Sequence, residues 1–523
     1  MIPELRWSRS TRLETFTIVV GLFVFSLSVR LPSLDAMVNV DMFYLWAPRI
    51  TRFWDALLRG DFAGTYQTHH PGVTFMWLSG AVLRLFLPAS SLLTTERLYL
   101  ATLPIAVLGS VFPSITYFLL RRLLSETDRS TAIFIGFLFA TEPLFVGHSR
   151  NAHLDMLVTG LAWSSLLCAI ITLRRHSVRY ASVAGVFLGL AILTKLSAVG
   201  YALGIALLFL ITISSGRVNR LGLFRLLLRI ATVAGASIVV FWPALWVSPI
   251  ITLLKLFQGL VHEVDKTSAF MFLGQTGKLA LPSSIYGVFA LFLATPEVVL
   301  PAVLVGTYLM IAPGRFRSLI WQLTLGTIPL AILIGGGSHV GARYLIPVLP
   351  WVITLAGLAL VHGFQLLAHQ VHSCFHTWAA IGLFGILILG RTVRLCDLHP
   401  LPITYCSTWH GIECAEVFHL GWGEGLKEAA LYIETTQRHR FGKSRVVIYG
   451  SAYAPIMRLW TAVKSTSKLE EAALLIEYIS DRQRNLAESK AIARFRENHP
   501  QPPLYEVVLQ GRVYVRIFKG PMY

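Results

Sequence analysis

The sequence predicts an α-helical polytopic membrane protein of about eleven spanning helices, closed by a small C-terminal α/β domain. Three observations carry that prediction. The 523 residues are 55% apolar and only 14% charged, with a mean hydropathy of +0.63, whereas a soluble chain carries about 25% charged residues. The apolar residues gather in runs near the ~20 that a helix needs to cross the hydrocarbon core. Arginines cluster between those runs, the pattern of loops on the cytoplasmic side.

The expected spans are 13–31, 98–120, 131–147, 153–173, 180–194, 197–214, 226–247, 297–312, 319–335, 344–363 and 375–391. With a cytoplasmic N-terminus, the inner loops hold Arg121, Arg122 and Arg129; Arg174, Arg175 and Arg179; Arg217, Arg220 and Arg225; and Arg315 and Arg317. These four inner loops are basic, so the span count is self-consistent. Many of the arginines behind the net charge of +18 sit in these short clusters between apolar runs, so no nucleic-acid partner is expected. Arg6, Arg9 and Arg12 precede the first run, and no small-residue cleavage site follows it. That segment reads as an uncleaved first span of a multi-pass protein of the cell membrane.

The expected domains are a transmembrane unit, 1–391, and an extracytoplasmic α/β unit, 392–523. Within the first, 31–97 forms an outer loop. Its stretch 71–87 contains Gly72, Gly80 and Arg84; counting it as a span would invert every later basic loop, so it lies on the outer surface or re-enters. The stretch 282–296 is treated likewise. Trp46, Ile50, Phe53, Trp54 and Leu57 recur at helical spacing, with Arg49, Arg52, Asp55 and Arg59 on the other face. That profile fits a helix lying in the interface, and an ordinary surface helix equally.

In the tail, Gly421-Trp422-Gly423-Glu424-Gly425 precedes a helical pattern over Leu426–Thr436, and reads as a turn because no Lys-Ser or Lys-Thr follows it. Val446–Tyr449 reads as a buried strand. Tyr505–Leu509 and Val513–Phe518 read as a hairpin about Gln510-Gly511-Arg512. Cys168 and Cys374 fall in apolar runs. Cys396, Cys406 and Cys414 fit one disulfide with a spare thiol, or three free thiols, and no CxxC spacing points to a metal.

Ionisable residues at span ends are functional candidates, because lipid makes them costly. Asp41 follows the first span and Asp155 begins the fourth, and the topology faces both outward. Two carboxylates at one interface suit general-base work or cation binding; Asp155 also fits a helix N-terminal acid favoured by the dipole. Lys195 lies between two outer span ends and fits a phosphate ligand or a snorkelling cation. His339 and Arg343 share another outer loop, where Arg offers a fork to phosphate oxygens. His69 and His70 are adjacent, an arrangement that rarely faces one metal ion. This outer cluster suits an anionic, lipid-linked substrate.

The ordered elements resemble the polyprenol-phosphate-sugar-dependent glycosyltransferases of the GT-C class, in particular the protein O-mannosyltransferase (family 39), aminoarabinose transferase and RgtA/B/C/D-like groups. The elements are Asp41, His70-Pro71-Gly72, Arg150 to Asp155, Gly189-Leu190-Ala191-Ile192-Leu193-Thr194-Lys195, Trp242-Pro243, and Arg343-Tyr344-Leu345-Ile346-Pro347-Val348-Leu349-Pro350. The resemblance covers roughly 13–365. It implies that Asp41 is the catalytic base, that Asp155 helps bind the site or a divalent cation, and that Lys195 holds the lipid phosphate. Arg150, His70, His339 and Arg343 become substrate-binding candidates. It implies inverting transfer from a polyprenyl-phosphate sugar to a hydroxyl of a protein, lipid or glycan; a divalent cation is the candidate cofactor. Two positions depart from the family: Val40 precedes Asp41 where many relatives carry a second acid, and Ala294-Thr295-Pro296 stands where many carry Lys-Thr-Pro. The competing reading, a lipid or sugar transporter or flippase, predicts internal repeats and a midplane site; no repeat is evident.

Overall fold

The structure is a computed structural model that describes residues 9–88, 90, 92–125, 128–215, 219–265, 270–272, 275–277, 291–292, 294–311, 314–335, 342–368, 373–407, 413–417, 419–441 and 445–523. The first half is helical: α1 (Arg9–Ser28), α2 (Ala47–Leu58), α3 (Val73–Phe86), α4 (Thr95–Leu123), α5 (Arg129–Thr141), α6 (Pro143–Ser149), α7 (Asp155–Arg175), α8 (Val178–Thr194), α9 (Val199–Ser214) and α10 (Arg220–Phe241). Further helices cover Pro249–Asp265, Pro296–Ile311, Arg317–Gly335, Leu349–Ala368 and Ser373–Leu398.

Each expected span overlaps one of these helices, except that 131–147 overlaps two, α5 and α6, bent by 55° where Pro143 follows Glu142. Among the described residues six helices are long and apolar enough to cross a membrane, seven if the bent pair counts as one. Helix α8, with 17 residues, is apolar but shorter. The chain is an integral membrane protein.

Burial sorts these helices. Every residue in the apolar window of α7 is buried; it packs against α4, α8 and α9. Helix α10 turns Leu221, Phe224, Leu228 and Val240 outward, as a helix does when lipid rather than protein meets that face. The bend between α5 and α6 is locked by buried Arg30. Its Nε donates to Ser149 Oγ (2.8 Å), and its Nη1 donates to the carbonyls of Ser26 (3.0 Å) and Ala140 (3.1 Å).

The stretch 71–87 contains α3. Trp54 of α2 donates its indole N–H to Met76 O (2.8 Å) and stands 5.2 Å from the Trp77 ring. A Cβ at Gly80 would collide with that Trp54 indole, so the glycine is what lets α2 and α3 approach. The apolar face of α2, including Ile50 and Phe53, is buried. Residues 282–290 lie outside the described residues.

Short strands β1 (Phe270–Phe272) and β2 (Gln275–Gly277) pair antiparallel. The tail carries a five-stranded sheet of β3 (Val446–Tyr449), β4 (Val463–Thr466), β5 (Leu474–Tyr478), β6 (Tyr505–Leu509) and β7 (Arg512–Lys519), in the order β4-β3-β5-β7-β6. The first three strands run parallel and the β6–β7 hairpin adds antiparallel. Val446–Tyr449 and the hairpin fall where the sequence places them; β4 and β5 are additional. The helical pattern over 426–436 is realised as Leu426–Tyr432 followed by a π-turn. Cys406 and Cys414 are disulfide-bonded, and Cys396 is a free, exposed thiol.

Candidate active site

Three connecting segments converge to make the site. The first is 39–41, between α1 and α2. Asn39, fully buried, accepts from the Met42 N–H (2.6 Å) and donates to Ala152 O (3.3 Å). It thus starts the turn into α2 and fastens Asp41 to the second segment, 150–154, between α6 and α7. The third, Gly421–Gly425, comes from the tail.

The two carboxylates named from sequence are joined through His153. Its Nε2 lies 3.6 Å from Asp41 Oδ2, and its Nδ1 lies 3.1 Å from Asp155 Oδ2. The cations expected at separate loops also arrive here. Lys195 Nζ donates to Asp155 Oδ1 at 2.8 Å, and Arg343 Nη1 donates to Asp41 Oδ2 at 3.2 Å. Asp155 is 1% exposed, so its ionic partners are essential: a lone buried carboxylate is strongly disfavoured.

Trp422 completes the Asp41 environment, its indole Nε1 donating to Asp41 Oδ2 at 3.2 Å. Its ring meets His153 edge-on at 4.7 Å between centroids, and the Arg343 guanidinium lies over it at 4.5 Å. Arg343, Trp422 and His153 therefore all approach the same oxygen of Asp41. Oδ1 carries no hydrogen bond or ion pair among the described residues.

Burial pushes the Asp41 carboxyl up, but the hydrogen bond with His153 and the Arg343 charge outweigh it and hold it well below the usual carboxylate range. Burial pulls the His153 imidazole down; the two neighbouring carboxylates reverse this and raise it above its ordinary value. The cluster is a row in which carboxylates alternate with basic side chains: Lys195, Asp155, His153, Asp41, Arg343.

Other sequence candidates stand differently. Arg150 spends its guanidinium on backbone: Nη1 donates to the carbonyls of Val29 (3.3 Å) and Arg30 (3.1 Å), and Nη2 to those of Ser33 (3.3 Å) and Pro400 (3.1 Å). His70 is half-buried with its ring 4.4 Å from that of His69, in the segment whose Gly72 N–H donates to Thr194 O. His339 lies outside the described residues. Asn39, His153 and Trp422 were not singled out by sequence. Only the placement of His153 two residues before Asp155 hinted at its position.

A divalent cation at Asp155 fits this arrangement poorly. The two Asp155 oxygens already face the Lys195 ammonium (2.8 Å) and the His153 Nδ1 (3.1 Å), and among the described residues no three His, Cys, Asp or Glu side chains converge as ligands. An ion there would sit among Lys195, His153 and Arg343.

No curated protein matches the sequence. Residues 75–246 match the family described as dolichyl-phosphate-mannose-protein mannosyltransferase. The fold is similar to that of ArnT from Cupriavidus metallidurans in the apo state, at 16% identity and TM-score 0.50, over 96% of this chain and 98% of that one. The ArnT structure bound to undecaprenyl phosphate aligns at 15% identity and TM-score 0.49, over 98% of both chains. The archaeal oligosaccharyltransferase AglB from Archaeoglobus fulgidus, in complex with an inhibitory peptide and a dolichol-phosphate, aligns at 12% identity and TM-score 0.50, over 91% of this chain and 70% of that one. With residues 75–246 matching that family and a helical body that carries a small C-terminal sheet, the chain has the GT-C, ArnT-like fold.

Proposed function

We propose that the protein is a membrane glycosyltransferase that moves a sugar from a polyprenyl-phosphate donor to an acceptor hydroxyl, with inversion and with Asp41 as base. The observation that carries this reading is the asymmetry of the Asp41 carboxylate. Oδ2 is held by Arg343, Trp422 and His153, while Oδ1 is left to accept a proton.

In the reaction, the acceptor oxygen forms a bond to the anomeric carbon as the carbon–oxygen bond to phosphate breaks. The hydroxyl proton passes to Asp41 Oδ1, and the lipid phosphate leaves with the electron pair toward Lys195 and Arg343. One displacement without a covalent intermediate inverts the centre. In its resting ion pair Asp41 is ionised but weakly basic. An incoming phosphate competes for Arg343, and each unit by which the carboxylate then recovers is about 1.4 kcal/mol of proton affinity. Donor binding thus prepares the base.

The same reading divides the chain at 391/392, puts the N-terminus in the cytoplasm and the tail outside, and lays 71–87 along the outer surface. In this reading His70 and His339 are substrate-binding residues. A transporter reading has less support, because the ionisable cluster sits at helix ends rather than in broken helices at the midplane.

The test is Asp41→Asn. Removing a general base commonly costs about 10²–10⁴-fold in rate, while the amide preserves size. Transfer from a panel of polyprenyl-phosphate sugars should collapse, with undecaprenyl phosphate still bound and the variant present at normal levels in the membrane. Near-normal transfer would remove Asp41 as the base.

A further inference from the structure

The strap Gly421–Gly425 is built to hold one side chain in place. Gly421, Gly423 and Gly425 adopt φ of +88°, +139° and +80°, conformations that other residues rarely take. The Gly423 N–H donates to the Tyr478 hydroxyl at 2.8 Å, and that hydroxyl donates to Glu424 Oε2 at 3.1 Å. Glu424, 5% exposed, also accepts from the Trp422 and Gly423 N–H groups. On the other side, Val40 N–H donates to Trp422 O at 3.1 Å, and Lys427 reaches Asp35 at 2.7 Å. A Cβ at Gly423 would collide with the Val38 carbonyl. Both margins of the strap are therefore fastened, one to the sheet and one to the segment that carries Asp41.

We infer that Trp422 is a positioning residue for Asp41, supplied to the membrane site by the tail. This rests on the reading of Asp41 as base. The carboxylate can rotate about its terminal torsion, which exchanges its two oxygens. Arg343 and the 3.6 Å His153 contact hold Oδ2 from two directions, and the indole N–H supplies a third. Arg343 is also the group that the donor phosphate recruits. When it turns toward phosphate, the indole and His153 remain to keep Oδ1 aimed at the acceptor. Trp422 also floors Arg343, whose guanidinium lies 4.5 Å above its ring.

The decisive variant is Trp422→Phe, which keeps an aromatic ring but removes the N–H. It is studied in the full-length chain in lipid nanodiscs. Infrared difference spectra at neutral pH, taken against the same chain carrying Asp41→Asn, isolate the Asp41 carboxylate stretch. Loss of a donor from one oxygen should shift that band. Turnover should fall about tenfold in kcat, with the donor KM and the affinity for undecaprenyl phosphate within twofold of the wild type, since misaim of a reacting group is a transition-state loss. Glu424→Gln, which loosens the strap and leaves the indole, should give the same pattern at smaller amplitude. An unshifted band, or an unchanged kcat, overturns the assignment while leaving Asp41 as base. Activity in Asp41→Asn would instead overturn the base reading, whatever Trp422 does.

Discussion

Lys195 has two candidate roles, and the Asp155 pair separates them. In the resting structure its ammonium lies 2.8 Å from an Asp155 oxygen, with Lys195 17% and Asp155 1% exposed. Removing one partner of a buried pair costs about 3–5 kcal/mol, because the survivor is left charged and unpaired. Lys195 keeps some solvent, and His153 still faces Asp155, so Lys195→Met should cost near the lower end, about 3 kcal/mol. Asp155→Asn combined with Lys195→Met removes both charges, and most of that loss should return, leaving a coupling of about 2 kcal/mol. Binding follows a different logic. A charge-assisted contact to phosphate contributes about 1.5–3 kcal/mol, or roughly 10–100-fold in affinity. If Lys195 holds the donor phosphate, undecaprenyl phosphate binding should fall by that factor in the single and in the double variant alike. Thermal unfolding in detergent reads the first quantity, and equilibrium binding of the lipid reads the second. A double variant that regains stability and also binds the lipid phosphate like the wild type would make Lys195 a counter-ion of Asp155 only, and the phosphate assignment would be wrong.

Two further outcomes follow from the same geometry. Arg150→Leu strands four backbone carbonyls from two chain segments; stability should fall by about 3 kcal/mol or more, while the folded fraction binds undecaprenyl phosphate unchanged, and an intact fold with weakened lipid binding would return Arg150 to the substrate site. The His153 contribution should depend on pH with a definite sign: Asp41 is depressed below its ordinary 3.8, so its share is present above that value and is lost only as pH falls through the lower folded one, whereas His153 is raised above its ordinary 6.5, so its share is complete below 6.5 and is lost as pH rises through the folded value. The unfolding temperature of the wild type should therefore exceed that of His153→Gln most between roughly pH 4 and 6.5, and a gap that widened above pH 7 would contradict the ion-pair row.

What the sequence disclosed and what it hid divide along physical lines. Helices α1, α4, α7 and α10 announce themselves because lipid demands long apolar runs, and no tertiary contact is needed to see them. Strand β3 and the β6–β7 hairpin carry local signals, an apolar run and a Gln-Gly turn. Strand β5, Leu474-Leu475-Ile476-Glu477-Tyr478, is buried along its whole length, so it lacks the alternation that marks a strand and reads as readily as part of a helix. Asp41 and Asp155 were legible as carboxylates at span ends, where cost implies purpose. Arg150 shows the limit of that rule, since a cation aimed at four carbonyls and one aimed at a ligand look alike in sequence. His153 and Trp422 were illegible for another reason. Each meets Asp41, which is remote in the chain, 381 positions away for the Trp422–Asp41 bond, and no periodicity records such contacts.

That separation has a consequence for how the protein comes into being. Asp41 is synthesised well before the strap that touches it, which is anchored through Tyr478, at the end of β5. Until synthesis has passed that tyrosine and the sheet has formed, the carboxylate lacks its indole partner and the segment 35–41 lacks its bonds to Trp422 and Lys427. A nascent or C-terminally truncated chain can insert all its apolar helices and still hold an unfinished centre. Proteolytic loss of the tail should therefore silence the protein without extracting it from the membrane.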